Sequence, residues 1–260
     1  MRSLMTGFGL LALVAVPAAA ADLPVKAPVR APVAMAAYSW NGCYIGVQGG
    51  GAFGRSRHTN VLGQDFAPEF DIRGALIGGE AGCNYQITPG WAVGIEGDYS
   101  WVSKKGTALN TGPAGNNIFI SGTNEKSLWT IRGRVGPTWD RVWLYATGGV
   151  AGARIEGSVD TTAWPGSLAF PTTLNGVYAQ TDTVWGWTVG AGLEYGFFNN
   201  WSLKLEYLYV RFPTTTFFAA NPIPAFPGFI VARDVRVDDH IIRAGLNYRF
   251  DWGGPVVARY

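Results

Sequence analysis

Past residue 21 the sequence has no apolar run long enough to cross a bilayer as a helix. A membrane form of the mature chain must then be a closed β-barrel, the other structure that satisfies every backbone group in lipid. Cysteine is scarce. Cys43 and Cys83 are too few for a disulfide scaffold, though they leave room for one bond in an oxidising compartment. Histidine is equally scarce: only His58 and His240 are present, whereas a metal site or an acyl hydrolase needs a His with a Ser or further ligands on one surface. Charged residues are only 15%, and removing Arg2 from the 20 basic residues leaves 19 against 18 acidic ones. So neutral a chain does not read as a nucleic-acid surface. Gly148–Ala153 is glycine-rich, but no GK[ST] motif accompanies it and no helix pattern follows, which excludes a phosphate loop.

What is present is glycine (36 residues), tryptophan (11), tyrosine (11) and phenylalanine (14). Glycine lets strands bend and pack closely in a small barrel, and Trp and Tyr suit the two membrane interfaces. The first 21 residues read as a cleaved signal peptide: Arg2, a short apolar run from Phe8 to Val16, then small residues for a peptidase. Residues 22–39 are rich in Pro, Ala and Val and read as an extended periplasmic leader, either a plain linker or a contact to peptidoglycan or a partner. Residues 40–250 suit one barrel domain, and 251–260 form a tail.

Within 40–250 apolar residues recur at every second position. The last segment shows it best: Ile242, Ala244, Leu246, Tyr248 and Phe250 lie on one face, and Arg243, Gly245, Asn247 and Arg249 on the other. The pattern occurs eight times, near 42–53, 75–86, 91–101, 127–136, 142–154, 183–196, 201–211 and 240–250. With a secretion signal, it predicts an all-β, eight-stranded antiparallel transmembrane barrel, an up-and-down meander with apolar residues toward lipid and polar residues in the lumen. A soluble periplasmic barrel of lipocalin type is the alternative; the outward row Trp185, Trp187, Val189, Leu193 and Tyr195 argues against it.

Three connections are short, at 87–90, 138–141 and 198–200, and four are long, at about 54–74, 102–126, 155–182 and 212–238. Short periplasmic turns and long external loops are the outer-membrane layout, with both termini in the periplasm. Asn117–Ser121 and Phe229–Val237 also look like strand; they either extend the hairpins or make ten strands.

Ala21-Asp22-Leu23-Pro24, Trp40-Asn41-Gly42-Cys43-Tyr44-Ile45-Gly46 and Ala244-Gly245-Leu246-Asn247-Tyr248-Arg249-Phe250 together resemble a known family. It is the small alphaproteobacterial outer-membrane β-barrel family, OmpA-like, also described as opacity-type surface antigens or porin-family proteins. The resemblance covers the whole mature chain. It implies an eight-stranded outer-membrane barrel that supports envelope integrity and presents surface loops. Some members are discussed as porins and some relatives as haemin binders, and the family has no catalytic motif to carry over. Such barrels commonly end on an aromatic residue that the assembly machinery reads. Here that signal is Phe250 or the terminal Tyr260, because Asp251–Tyr260 follow the last strand.

The expected lumen holds Glu80, Glu96, Asp98, Glu194 and Glu206 against Arg132, Arg134, Lys204, Arg243 and Arg249. An eight-stranded barrel is just wide enough for its side chains to fill, so these ten are expected to pair into a network. The network is either a structural plug or a gate that opens a narrow ion path when pairs exchange. Cys43 and Cys83 both fall on the lipid face near the periplasmic rim; they are either disulfide-bonded or two small lipid-facing residues. His58 is expected in the first loop and His240 at the start of the last strand, as solvated residues or as a loose haem or metal contact near the outer rim. The loops carry aromatic and Pro clusters, Trp164-Pro165, Phe217-Phe218 and Pro222 to Phe229, which pack together or contact an extracellular ligand.

The reading is a non-enzymatic structural surface barrel without cofactor, a monomer among outer-membrane lipid and lipopolysaccharide. Its competitors are a narrow diffusion channel and a lipid-modifying enzyme.

Overall fold

The computed structural model describes residues 38–60, 65–111, 117–160, 176–198, 200–219 and 233–250. The signal segment, residues 22–37 of the leader, the C-terminal tail with Tyr260, and the Trp164-Pro165 and Pro222 to Phe229 clusters lie outside the described residues.

Eight strands run in chain order: β1 (Gly42–Asn60), β2 (Asp65–Thr88), β3 (Trp91–Thr111), β4 (Asn117–Trp139), β5 (Val142–Asp160), β6 (Val177–Gly196), β7 (Trp201–Phe217) and β8 (Arg233–Phe250). Each pairs antiparallel with the next, and β8 pairs back onto β1, closing the ring. The ring closes, although β6 and β7 pair only from Trp187 opposite Arg211 to Gly196 opposite Ser202, and residues 177–186 and 212–217 are not paired to each other.

The alternation fixes which face of each strand points out. Along β7, exposed and buried residues alternate from Trp201 onward: Trp201, Leu203, Leu205 and Tyr207 are exposed, while Ser202, Lys204 and Glu206 are buried. Ile77 keeps 66% of its surface exposed and Trp185 keeps 61%, which no water-soluble fold would arrange around the whole girth of a barrel. The lipocalin alternative fails on this point. A register slip of one residue would turn every lumenal charge outward, so the register is strongly specified.

At one end the connections are tight. Pro89-Gly90 joins β2 to β3, Asp140-Arg141 joins β4 to β5, and residues 197–200 join β6 to β7. Asp140 adopts a φ of 47°, a left-handed conformation that Asp tolerates in a two-residue turn. We call this the short-turn end and the opposite one the long-loop end.

The strands are 17 to 24 residues long, although about 9–11 residues suffice to cross a bilayer. The excess lies at the long-loop end, and it corrects the sequence reading. Most of the expected loops at 54–74 and 102–126, and both flanks of those at 155–182 and 212–238, are strand. Asn117–Ser121 extends β4, and the described part of Phe229–Val237 belongs to β8, so the ring has eight strands rather than ten.

The faces exchange polarity along each strand. Toward the short-turn end apolar residues point out and polar ones in. Beyond about Phe53, Leu76 and Trp101 the charges Arg55, Asp71, Arg73 and Lys105 point out, while Ile72, Val102, Leu128, Ile155, Val210, Phe212 and Val237 fill the interior. The overhanging part is built like a water-soluble barrel.

Candidate functional site

The lumen is filled at three levels. At the short-turn end Trp40, which precedes β1, is 1% exposed and packs on the lumenal Trp143 with ring centroids 5.6 Å apart. Tyr38, Ala92 and Tyr145 complete this aromatic layer. Two glycines make room for the rings below it: a Cβ on Gly82 would collide with Tyr44, and one on Gly192 with Tyr145. The last leader residues therefore form part of the barrel's end rather than a free linker.

The middle level is the charge network. Arg132 donates to Glu96, to Asp98 at 3.2 Å and to Glu206 at 2.8 Å. Arg243 reaches Asp98 at 2.9 Å and Glu206 at 2.7 Å. Arg134 meets Glu96 at 3.0 Å and Glu194 at 3.2 Å, donates to Asn84, and stacks over Tyr44, Trp143 and Tyr145. Lys204 pairs with Glu80 and lies 3.0 Å from Glu96. Hydroxyl groups supply further donors: Tyr44 to Glu96, Tyr145 to Glu206, Thr130 to Asp98 and Ser202 to Glu194. Glu96 thus touches four cations, and the network joins five carboxylates to four cations.

Of the ten expected lumenal charges, nine meet here. Arg249 is placed at the short-turn rim, where it donates to the Ser39 carbonyl and lies 4.5 Å from the centre of the Tyr38 ring.

The third level, in the overhang, is apolar, with two polar inclusions. Lys104 is shared by Glu125 and Asp239 at 2.5 Å each, all three buried. Ser56, His58 and Thr123 form a hydrogen-bonded set, with His58 Nε2 3.2 Å from Ser56 Oγ and 3.0 Å from Thr123 Oγ1. Ser56 and His58 are both 0% exposed, so this Ser–His pair offers a substrate no approach. His58 was expected in a solvated loop. It lies in β1 instead, because inward alternation continues past the apolar band.

His240 lies on the opposite side of the wall. It points out, 2.7 Å from the Tyr207 hydroxyl and against the Tyr209 ring. The two histidines cannot share an ion, and among the described residues no group of three or more His, Cys, Asp or Glu is arranged to hold a metal.

Cys43 and Cys83 are directly opposed in the β1–β2 register, 3.9 Å apart at Cα, and joined by a disulfide on the outward face at the short-turn end. Phe250 ends β8 opposite Cys43, also on the outer face, and packs edge-on against Tyr248. Phe217 and Phe218 are buried in the apolar level, so this loop pair is interior packing. Gly148–Ala153 is plain β5 strand.

Sequence reasoning missed Trp40, Trp143, Lys104, Glu125 and Asp239. For three of them the signal was parity: Trp143 shares the inward side with Tyr145 and Thr147, Lys104 continues Glu96, Asp98, Ser100, and Asp239 continues Asn247, Arg243, Ile241, whereas a register shift between Glu125 and Ser127 turns Glu125 inward.

The profile of the outer membrane protein beta-barrel domain matches residues 6–250. The 31 kDa outer-membrane immunogenic protein of Brucella melitensis is 33% identical over 254 residues, covering 92% of this chain and 96% of the relative. The 25 kDa outer-membrane immunogenic protein of Brucella canis is 30% identical over 237 residues, covering 89% and 90%. Among solved structures, Neisserial surface protein A aligns with 79% of this chain and 97% of its own at 18% identity, with a TM-score of 0.35. With a closed ring of eight strands and relatives matched nearly end to end, the chain belongs to the outer membrane protein β-barrel family of Gram-negative bacteria.

Proposed function

We propose that the protein is a non-catalytic structural barrel of the outer membrane that supports envelope integrity and carries its long loops rigidly above the cell surface, with a lumen that does not conduct. The observation that carries this is the filling of the lumen at all three levels by side chains that are almost wholly buried. Short turns face the periplasm in such barrels, and the overhang lies at the opposite end. Both termini are then periplasmic and the overhang is extracellular. The relatives are named immunogenic proteins, which supports exposure of the loop end. The outward Phe250 closing β8 is a fitting signal for the assembly machinery, and any extracellular ligand would be met by the loops. The relatives bear no enzymatic names, and the buried Ser56–His58 pair gives catalysis no substrate path.

A narrow channel is the competing reading. It is favoured by one observation: Glu96 has four alternative cationic partners, so pairs have somewhere to exchange. Exchange alone leaves the third level packed shut by buried side chains, and an ion entering that largely apolar section would be stripped of water at a heavy cost.

The test is to refold the mature chain in detergent, confirm that its gel mobility shifts on boiling, and record current across a planar bilayer. A folded barrel without discrete conductance steps is expected. Steps that change size in Arg132→Ala would overturn the closed-lumen reading. Deletion of the gene is expected to sensitise cells to detergent and chelator, and an unaltered envelope would remove the integrity role.

A further inference from the structure

On the outer wall, directly above the apolar band, β1, β7 and β8 carry four arginines: Arg55, Arg57, Arg211 and Arg236. Between them they have three carboxylate partners, one of which is shared with Arg73. Glu69 serves Arg55 at 3.1 Å and Arg57 at 3.2 Å, and Asp238 serves Arg211 and Arg236 at 3.5 Å each. Asp71 is held more closely by Arg73, at 3.0 Å, than by Arg55, at 3.9 Å. The patch therefore carries a surplus of two positive charges. Its ion pairs are half-exposed and weak, so an incoming anion can displace them.

The setting is not that of an ordinary basic patch. Arg55, Arg57 and Arg236 rim a hollow of about 520 Å³ that Tyr209 and His240 also line. Arg236 is shared with a neighbouring trough of about 510 Å³, lined by Arg211, Trp185 and Trp187. The two tryptophans are 61% and 46% exposed and stand where the apolar band ends. Guanidinium groups thus border an aromatic trough on the outer wall, with Arg211 paired in register with Trp187. Planar forks suit phosphate and carboxylate, which they bind bidentately, and Trp side chains suit the membrane interface.

We propose that this face of the barrel binds the anionic headgroup of an outer-leaflet lipopolysaccharide, with Arg55, Arg57, Arg211 and Arg236 on its phosphate or carboxylate groups and Trp185 and Trp187 against its acyl chains. The proposal rests on the extracellular placement of the overhang given above. It differs from general embedding in lipid, because it assigns one sector of the circumference. On the opposite side of the ring the outward Lys126 donates to Glu156 at 2.6 Å, and that hydrogen bond holds the Glu156 carboxyl below its ordinary range.

The test uses the full mature chain refolded in detergent, with binding of purified rough lipopolysaccharide read from quenching of tryptophan fluorescence. Saturable binding is expected, weakened roughly tenfold in Arg211→Gln/Arg236→Gln and again in Arg55→Gln/Arg57→Gln, since two exposed charge contacts are together worth about that factor. The control Lys126→Gln/Arg154→Gln removes the same charge elsewhere on the overhang and is expected to stay within about twofold of the parent. Equal losses in control and test variants, or unchanged affinity in the test variants, would overturn the site. So would equal affinity for phosphatidylglycerol vesicles, or full competition by inorganic phosphate, since either shows that the lipopolysaccharide itself is not recognised. All variants must keep the mobility shift on boiling, which separates binding from folding. Orientation is read separately by labelling Leu109→Cys, an exposed position at the long-loop end of β3, in intact cells with an impermeant maleimide. Labelling with arginine-independent binding sinks the site alone, whereas no labelling sinks the orientation and the site with it.

Discussion

At the scale of single residues, the composition of the network decides which substitution hurts. Five carboxylates face four cations, all nearly inaccessible to water. Removing a cation leaves two carboxylates in excess, whereas removing Glu96 brings the numbers level. Arg132→Met strips Glu96, Asp98 and Glu206 of a shared partner and is expected to cost about 3–5 kcal/mol, the penalty of an uncompensated buried charge. Glu96→Gln keeps the shape and still accepts from Tyr44, so it is expected to cost less than Arg132→Met although Glu96 has more charged neighbours. Urea unfolding of the two variants in the same detergent, followed by the boiling-dependent mobility shift, checks the order. A larger loss in Glu96→Gln would mean that contact number, not charge balance, governs the network.

At the scale of elements, the last leader residues act as part of the barrel. Trp40 is wholly buried on Trp143, and Arg249 ties Ser39 to β8. Trp40→Ala empties a large buried site and is expected to destabilise by about 3–5 kcal/mol, visible as a lower temperature for loss of the mobility shift. The same variant should remain silent in a bilayer, because the charge network and the apolar level are untouched; conductance in Trp40→Ala would make the aromatic layer the true seal. The eight strands were legible in the sequence because an oily outward face at period two has a single reading in a secreted chain. Their far ends were not, for a definite physical reason. Past Phe53, Trp101 and His240 the solvent outside changes from lipid to water, and the two faces exchange polarity. Segments such as Arg55–Thr59 and Asp234–Asp239 therefore look charged and loop-like when lipid-facing oil is the only cue, although their inward partners Val235 and Val237 keep the alternation going. Trp40 was hidden for another reason: a lone aromatic before a strand carries no periodicity at all.

At the scale of the whole molecule, the barrel is two solvent regimes joined end to end by continuous strands. The membrane part is oily outside and charged inside; the overhang is charged outside and apolar inside, with Ile72, Leu128, Ile155, Val210, Phe212 and Val237 in one packed cluster. The overhang turns much of what read as long loops into paired strand, so that the connections it bears at 112–116 and 161–175 start from fixed points. Its stability comes from water-driven burial, which the membrane part does not use. The two parts should then respond separately to core damage. Phe212→Ala is expected to destabilise the overhang by about 3–5 kcal/mol. In amide hydrogen exchange this would speed the amides of residues 54–59, 102–109 and 120–126, while those of residues 43–50, 92–99 and 129–136 stay protected in detergent. In the parent protein both sets should be slow, as paired strand is. Fast exchange of the overhang amides in the parent would mean that the overhang does not hold in solution, and would return those segments to loops. Uniform acceleration of both sets in Phe212→Ala would show instead that the strands melt as one cooperative unit, and that the change of solvent along the barrel sets its side-chain pattern without dividing its stability.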